Sequence, residues 1–285
     1  MTRSPESRSE RRAESRSGGR AENRSEGRSG TQAIDRAMAV LRLFIEAEGD
    51  IQVSEIVARL GLTPGTAHRV VRALAAEGFL TRNPANDGYY LGSTAILLGQ
   101  AAQRALGADR VMPLLKQLNG ETSESVNLVV RDGEESVVVM RVQSTMPLRF
   151  EQHPGARFPL YSTASGKVLM AWAEDAEQYL AGLPAALPGV TARTLATPAE
   201  VAEELERTRE RGYSIDSEEN VEGVSSVGAP VLDGRGLAHA ALVVQVPTVR
   251  LPPERIAQLA PRLREIACQV AEVLPADRPM RVGRV

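Results

Sequence analysis

Thr63-Pro64-Gly65-Thr66-Ala67-His68-Arg69-Val70-Val71-Arg72-Ala73-Leu74-Ala75-Ala76-Glu77-Gly78-Phe79-Leu80-Thr81-Arg82 decides how this chain is read. Thr63 is placed to cap a helix with its hydroxyl, and Pro64 suits the first helical position, where no N–H is needed. Gly78 follows the helix end. Val70, Val71 and Leu74 supply a buried side, while Arg69 and Arg72, three apart, share another face. Upstream, Ile34, Val40, Leu41, Phe44 and Ile45 recur at helical spacing, and Gly49-Asp50 ends that segment. A second, short helix is expected over 54–60, turned by Gly61. Downstream, Phe79–Arg82 and Tyr89-Tyr90-Leu91 flank Asn86-Asp87-Gly88, a hairpin signal.

Helix, helix, turn, helix, hairpin is a winged helix-turn-helix layout. It occupies residues 31–92, with the helix-turn-helix at about 53–77 and the wing at about 79–91. In this layout the second helix of the pair enters the major groove, N-terminal end first. Thr63, Gly65, Thr66, His68, Arg69 and Arg72 populate that end. Arginine grips guanine O6 and N7 with two donors, and threonine suits a phosphate or the thymine methyl. Gly65 leaves room for close backbone approach. Taken alone, Arg69 and Arg72 read as ordinary solvated helix residues; the surrounding layout is what points them at DNA. His68 either meets a phosphate or packs on the neighbouring helix. Arg82 and Asn83 begin the wing, within reach of the adjacent minor groove or backbone.

At 285 residues the chain is long enough for about two domains. Its 34 Lys and Arg nearly balance 36 Asp and Glu, which excludes binding of nucleic acid by bulk charge. One cysteine, Cys268, excludes a disulfide scaffold, and His68, His153 and His239 are too scattered for a local metal motif. No apolar run reaches the ~20 residues that span a bilayer, so a cytoplasmic protein without a membrane partner is expected. Residues 1–30 carry eight Arg and five Glu with Met1 the only large apolar residue. Such a tail is expected to be disordered, either a basic arm that adds nonspecific DNA affinity or a solvated extension.

Leu97, Leu98, Ala101, Ala105, Val111, Leu114, Leu115 and Leu118 suggest a long connector helix over 93–119, interrupted near Gly107 or Pro113. Strand patterns follow at Val126–Val130 and Val137–Val142 around Asp132-Gly133, then at 213–216, 227–232 and 237–246. Helices are expected over 163–173, from a capping box at Thr197-Pro198-Ala199-Glu200 to about Arg211, and from about Pro253 to Leu274. Residues 120–275 thus form an α+β domain with a largely antiparallel sheet, and 276–285 a flexible C-terminus.

Catalytic patterns fail on inspection. Ser165-Gly166-Lys167 lacks the first glycine and the Ser/Thr of a phosphate loop, and there is no G-x-S-x-G elbow. Glu203, Glu204 and Glu206 sit on a charge-rich helix and read as its solvated face. Lys167 reads as a snorkelling surface lysine, or else as a counter-ion. Asp216, Glu218 and Glu219 have the makings of a divalent-ion site, though solvated turn charges are the simpler reading. Neither an enzyme nor a metal or cofactor is expected.

Glu55-Ile56, Gly61-Leu62, Thr66-Ala67-His68-Arg69 and Leu74 with Glu77-Gly78-Phe79-Leu80 closely resemble the IclR (isocitrate lyase regulator) family of bacterial transcription factors. The resemblance continues through Pro159-Leu160-Tyr161-Ser162-Thr163-Ala164-Ser165-Gly166-Lys167-Val168-Leu169. It resumes at Arg211-Gly212-Tyr213-Ser214-Ile215-Asp216, Glu218-Glu219, Gly223-Val224 and Ala229-Pro230-Val231, and spans about Gln32 to Leu274 in the family's order. Departures are Ala67 where the family usually has valine and Val57 where it has a smaller residue, a volume-conserving exchange. Tyr161 stands for a frequent histidine, Ser226 for cysteine and Gln245 for serine.

The resemblance implies a GAF-like C-terminal domain, a curved sheet with helices, that binds a small organic effector, often a carboxylate in this family. Backbone N–H groups around Ala164-Ser165-Gly166 would suit one. By the same resemblance, Leu148, Phe150, Gly155, Tyr161, Ser162, Ala164, Ser165, Asp216, Glu219, Ser226 and Gln245 line the pocket. It further implies a homodimer on a near-palindromic operator in double-stranded DNA, with dimers pairing into tetramers in some members. Two other classes stay open: a stand-alone ligand-binding protein or enzyme whose winged helix meets proteins, and a constitutive DNA-binding protein without an effector.

Overall fold

A computed structural model describes residues 31–45, 47 and 49–277. The tail over 1–30 and residues 278–285 of the expected C-terminal segment lie outside the described residues. The chain divides into two compact units, one ending at Gly99 and the other starting at Gln100.

The first unit opens with helix α1 over 31–43, followed by α2 (Val53–Leu60) and α3 (Pro64–Ala76). Gly61 turns between them at φ 61°, a left-handed conformation that glycine adopts without strain. Thr63 caps α3 as expected: its Oγ1 accepts from the Thr66 N–H at 3.4 Å and lies 2.9 Å from the Thr66 hydroxyl. Val40, Phe44, Ile51, Ile56, Ala67, Val71, Leu74 and Leu80 form the core. Strands β1 (Leu80–Arg82) and β2 (Tyr89–Leu91) pair as the wing, and Ile51 bridges to Tyr89. Helix α4 (Ser93–Ala105) leaves this unit and buries none of its residues.

The second unit is a six-stranded antiparallel sheet in the order β5-β4-β3-β8-β7-β6, where β3 is Ser125–Asp132, β4 Glu135–Val142, β5 Arg157–Pro159, β6 Ser214–Ser217, β7 Val224–Leu232 and β8 Ala238–Pro247. Strand alternation sorts its side chains onto two faces. Val126, Leu128, Val130, Val227, Ala229, Val231, Ala240, Leu242, Val244 and Val246 face α5 (Ala108–Thr122) and α9 (Pro253–Val273). Val129, Val138, Ala241 and Val243 face α6 (Ala164–Ala171), α7 (Ala176–Gly182) and α8 (Pro198–Arg211). The predicted capping box of α8 is formed in full, with Thr197 and Glu200 each satisfying the other's N–H. Trp172 caps the C-terminal end of α6, packs on this second core, and its carbonyl accepts from the Ala238 N–H at 3.0 Å.

The connector is interrupted at Gly107, which takes φ 69° between α4 and α5. Pro113 rides inside α5 without ending it, and α5 continues past the expected end at 119 to Thr122. The short strand β5 and helix α7 were not signalled by periodicity; with three and seven residues they are too short to carry one.

Candidate nucleic-acid interface and small-molecule pocket

In the first unit, packing of Ala67, Val71 and Leu74 turns the opposite side of α3 outward, so His68, Arg69 and Arg72 are exposed together with Thr63 and Gly65. A Cβ built on Gly65 meets nothing within 4 Å. Arg82 pairs with Asp87 at 2.8 Å, yet both side chains stay more than half exposed. Asn83 is differently placed. Its Nδ2 donates to Asp50 Oδ2 at 2.5 Å and its Oδ1 accepts from the Ala85 N–H at 2.9 Å, so both ends of the amide have partners within the first unit. Asn86 Nδ2 donates to the same Asp50 oxygen at 2.8 Å, and Gln52 Nε2 to the Asn86 carbonyl at 2.7 Å. Asp50 thereby ties the wing to the segment before α2.

In the second unit the face toward α6 changes character along the strands. Its apolar part ends where the backbone of α6 comes down on β7: a Cβ on Gly228 would lie 3.0 Å from the Ala164 carbonyl oxygen. Past that point the register puts Ser125, Gln245, Ser226 and Asp216 side by side across β3, β8, β7 and β6. In the next row Asn127 faces Arg141 across β3 and β4. Of these residues Ser125, Asn127, Asp216 and Ser226 are at most 5% exposed. Ser226 Oγ donates to Asp216 Oδ2 at 3.3 Å, and the Glu219 N–H donates to Asp216 Oδ1 at 2.8 Å. Arg141 donates to the carbonyls of Phe150 and Gln152 and, at 3.2 Å, to Ser125 Oγ, which straps the 143–156 segment over this end of the sheet. Asn127 Oδ1, Gln245 Oε1, Glu219 Oε2 and Arg141 Nε are buried and meet no hydrogen-bond partner.

Three sequence expectations are corrected here. Lys167 is no surface lysine: its side chain is 1% exposed, and Nζ donates to Glu219 Oε1 at 2.6 Å and to the Ile215 carbonyl at 2.8 Å. It faces inward because Gly166 lets α6 sit directly against the 3-10 turn Leu160–Ser162; a Cβ there would be 2.0 Å from the Leu160 carbonyl oxygen. Glu204 is not on a solvated face. It is buried among Lys167, Arg207 and Arg211, while Glu203 and Glu206 are exposed as expected. Asp216 and Glu219 are likewise buried rather than solvated. Burial, then the neighbouring Glu219 carboxylate, pushes the Asp216 carboxyl up to about 7. Burial also raises Glu219, against the pull of Lys167. Burial pushes Glu204 up too, but Lys167, Arg207 and Arg211 together bring it below the usual carboxylate range.

The remaining expected pocket residues spread out. Ser162 Oγ donates to Asn220 Oδ1 at 3.3 Å, which joins the 3-10 turn to the β6–β7 loop. The Tyr161 hydroxyl is spent on the Pro188 carbonyl at 2.9 Å, and its ring belongs to the second core. Ser165 Oγ lies 3.3 Å from Ser136 Oγ and 3.2 Å from Thr163 Oγ1, within reach of donating to either, and the Ala164 carbonyl accepts from Ser214 Oγ at 2.6 Å. Phe150 is half-buried on the strap, Leu148 is 61% exposed, and Gly155, at φ 97°, donates its N–H to Val138. Asn127 and Arg141 were absent from the expected set. Their signal was a polar residue inside the run Val126-Asn127-Leu128-Val129-Val130, facing a cation across the strand.

A model of the IclR helix-turn-helix domain matches residues 33–84, and one of the bacterial transcriptional regulator IclR C-terminal domain matches 101–272. The chain belongs to the IclR family. Among IclR relatives, the glycerol operon regulatory protein of Streptomyces griseus is 36% identical over 87% of this chain and 98% of its own length. The HTH-type transcriptional regulator BhcR of Paracoccus denitrificans is 32% identical over 85% and 87%. In three dimensions, a putative transcriptional regulator from Rhodococcus sp. RHA1 superposes with a TM-score of 0.75 at 27% identity, covering 87% of this chain and 99% of that one. The chain is thus a transcriptional regulator of the IclR type, with a DNA-binding first unit and an effector-binding second unit. Among the described residues no helix is long and apolar enough to cross a membrane.

Proposed function

We propose that this IclR-type regulator reads operator DNA as a homodimer through Thr63, Gly65, Thr66, His68, Arg69 and Arg72 of the α3 end, with Arg82 in the wing. Asn83 sets the wing's position from within rather than touching DNA. The observation that carries this reading is the joint exposure of His68, Arg69 and Arg72 on the one side of α3 that its core contacts leave free. Dimerisation is favoured by the large apolar side chains that the first unit leaves in water. Ile34 and Met38 on α1, and Ile96, Leu97 and Leu98 on α4, are 43–63% exposed, a density that marks an association surface. A C2 dimer puts two α3 helices one DNA turn apart on a near-palindrome, and pairing of dimers makes a tetramer.

The second unit senses a small molecule over the Ser125–Gln245–Ser226–Asp216 row, and occupancy changes DNA affinity by a coupling worth about 1–3 kcal/mol. A carboxylate on such a ligand finds the start of α6 beside the row. We read the protein as cytoplasmic, without a cofactor and without catalytic activity, since its relatives are named as transcriptional regulators and Lys167, Glu204 and Glu219 are bonded to one another inside the fold. Arg69→Ala tests the first part: fluorescence anisotropy on the DNA flanking its own gene should show operator affinity about tenfold weaker or more, with the melting temperature unchanged. Equal affinity for the variant would sink the assignment of α3.

A further inference from the structure

The polar rows on the α6 face of the sheet say more about the ligand than that it is small, and what they say rests on the effector-sensing reading above. Strand alternation fixes where each side chain points. Val126 and Leu128 flank Asn127 and face α5 and α9, so Asn127 faces the opposite side; Val244 and Val246 do the same for Gln245, and Val227 for Ser226. Four strands spaced at the usual sheet interval make this floor ~14 Å wide. The strap held by Arg141 bounds it at the β4 edge, and the β6–β7 loop, joined to the 3-10 turn by Ser162 and Asn220, follows Asp216 at the strand end.

The floor mixes hydrogen-bonding senses. Asn127 Oδ1, Gln245 Oε1 and Glu219 Oε2 are acceptors without a donor, and Arg141 Nε is a donor without an acceptor. Asn127 and Glu219 are more than nine-tenths buried, so bulk water does not serve them. A flat hydrocarbon ring set on this floor would leave every one of them unmet. An ammonium group has no acceptor to offer Arg141. A bare carboxylate has no donor to offer Asn127, Gln245 or Glu219. A group that both donates and accepts meets all of them, and a hydroxyl is the most compact such group.

We propose that the Asn127–Gln245–Ser226–Asp216 floor, with Arg141 at its edge, selects an effector carrying several hydroxyls: a short straight-chain polyol or polyhydroxy acid. Near neutral pH Asp216 serves such a ligand in either protonation state, since a carboxylate accepts from a hydroxyl and a carboxylic acid donates to one. Sites built to bond a substrate hydroxyl discriminate strongly against analogues that lack it.

Thermal unfolding of the full chain tests the idea with defined probes: glycerol, erythritol, ribitol and sorbitol, their aldonates, and hexanoate, benzoate and putrescine as hydroxyl-free controls. The expected result is that at least one polyol or aldonate raises the melting temperature at about 10 mM and that no control matches it. Asn127→Leu and Gln245→Leu, close in shape and apolar, are expected to weaken that ligand about tenfold or more while leaving the ligand-free melting temperature equal or higher, because each deletes an unmet buried acceptor. A purely structural role for these amides predicts the reverse, a lower melting temperature with ligand affinity kept, and would overturn the proposal. A shift produced by benzoate, hexanoate or putrescine but by no hydroxylated probe overturns it while leaving effector sensing intact. If no probe of any class shifts the melting temperature or the operator affinity, the effector-sensing reading falls with it.

Discussion

The two units handle polar side chains in opposite ways. On α3 of the first unit the polar groups of interest stand in water on a small packed scaffold, and their places follow from one helix and its cap. On the α6 face of the second unit they are buried, bonded across four strands, and placed by register. The contrast shows in two glycines. Gly65 has open space where a side chain would go, whereas a side chain on Gly166 would run into the Leu160 backbone. One unit leaves that space open to solvent; the other uses the missing side chain to close on itself.

The sharpest way to break this contrast is at Gly166. Gly166→Ala forces α6 off the 3-10 turn and is expected to remove on the order of 4 kcal/mol of stability or more, measured by urea denaturation followed by circular dichroism. A loss below about 1 kcal/mol would mean that helix and turn separate easily and that the close approach constrains little. Next in size is Lys167→Met, which strands Glu219 as a buried acid while Glu204 keeps Arg207 and Arg211, and which is expected to cost about 3 kcal/mol. Adding Glu219→Leu should restore part of that loss. If the double variant is no better than the single, the ion pair is not what holds α6, α8 and the β6–β7 loop together.

A smaller, pH-dependent effect is expected at Asp216. Its carboxyl holds a proton in the folded state up to about 7, while the unfolded chain loses it near the ordinary aspartate value. The folded state therefore binds more protons between about pH 4 and 7, so this group's contribution to stability is greatest at the acidic end of that window and falls as pH rises through it. Asp216→Asn removes the penalty. The variant should exceed the parent by a few kcal/mol at most at pH 8, and the gap should narrow as pH drops toward 5. Taking the difference between the two proteins cancels His239, which burial holds below its usual range and which works in the opposite sense. A gap independent of pH would contradict the buried environment of Asp216.

The smallest effect belongs to the first unit. Gly65→Ala is expected to change stability by less than about 1 kcal/mol, in the favourable direction, yet to lower operator affinity if α3 meets DNA as proposed above, since the added methyl would stand in the space open at Gly65. Unchanged affinity would remove Gly65 from the interface.

The same contrast explains what could be read from the residues beforehand. Thr63, Pro64 and Gly78 mark α3 through local chemistry, and the outward position of Arg69 and Arg72 follows from helical spacing to Val71 and Leu74. The capping box at Thr197 was equally local. The inward position of Lys167 is not legible locally because its surroundings come from Ile215 and Glu219, some fifty positions away in sequence, and periodicity carries no information about that distance. Glu204 looked like its neighbours Glu203 and Glu206 until α6 was laid beside α8. Asn127 and Arg141 became neighbours only through the β3–β4 register, which shifts at a bulge after Leu128 that no residue type announces. The place of Asn83 in the wing is local, but its bond to Asp50 depends on a loop that ends more than thirty residues earlier.

Trp172 is the single tryptophan of the chain, and it sits where α6 ends against β8. Indole emission from this protein therefore originates at one point in the second unit, with none from the DNA-reading unit. A denaturation curve followed by fluorescence traces the second unit alone, while far-ultraviolet ellipticity sums the helices of both. Superimposable curves would report one cooperative transition, and curves that part would resolve two melting steps in the intact chain without any cut between the units. A molecule settling at the far end of α6 would be registered, if it moves that helix, as a change in the colour of a single residue.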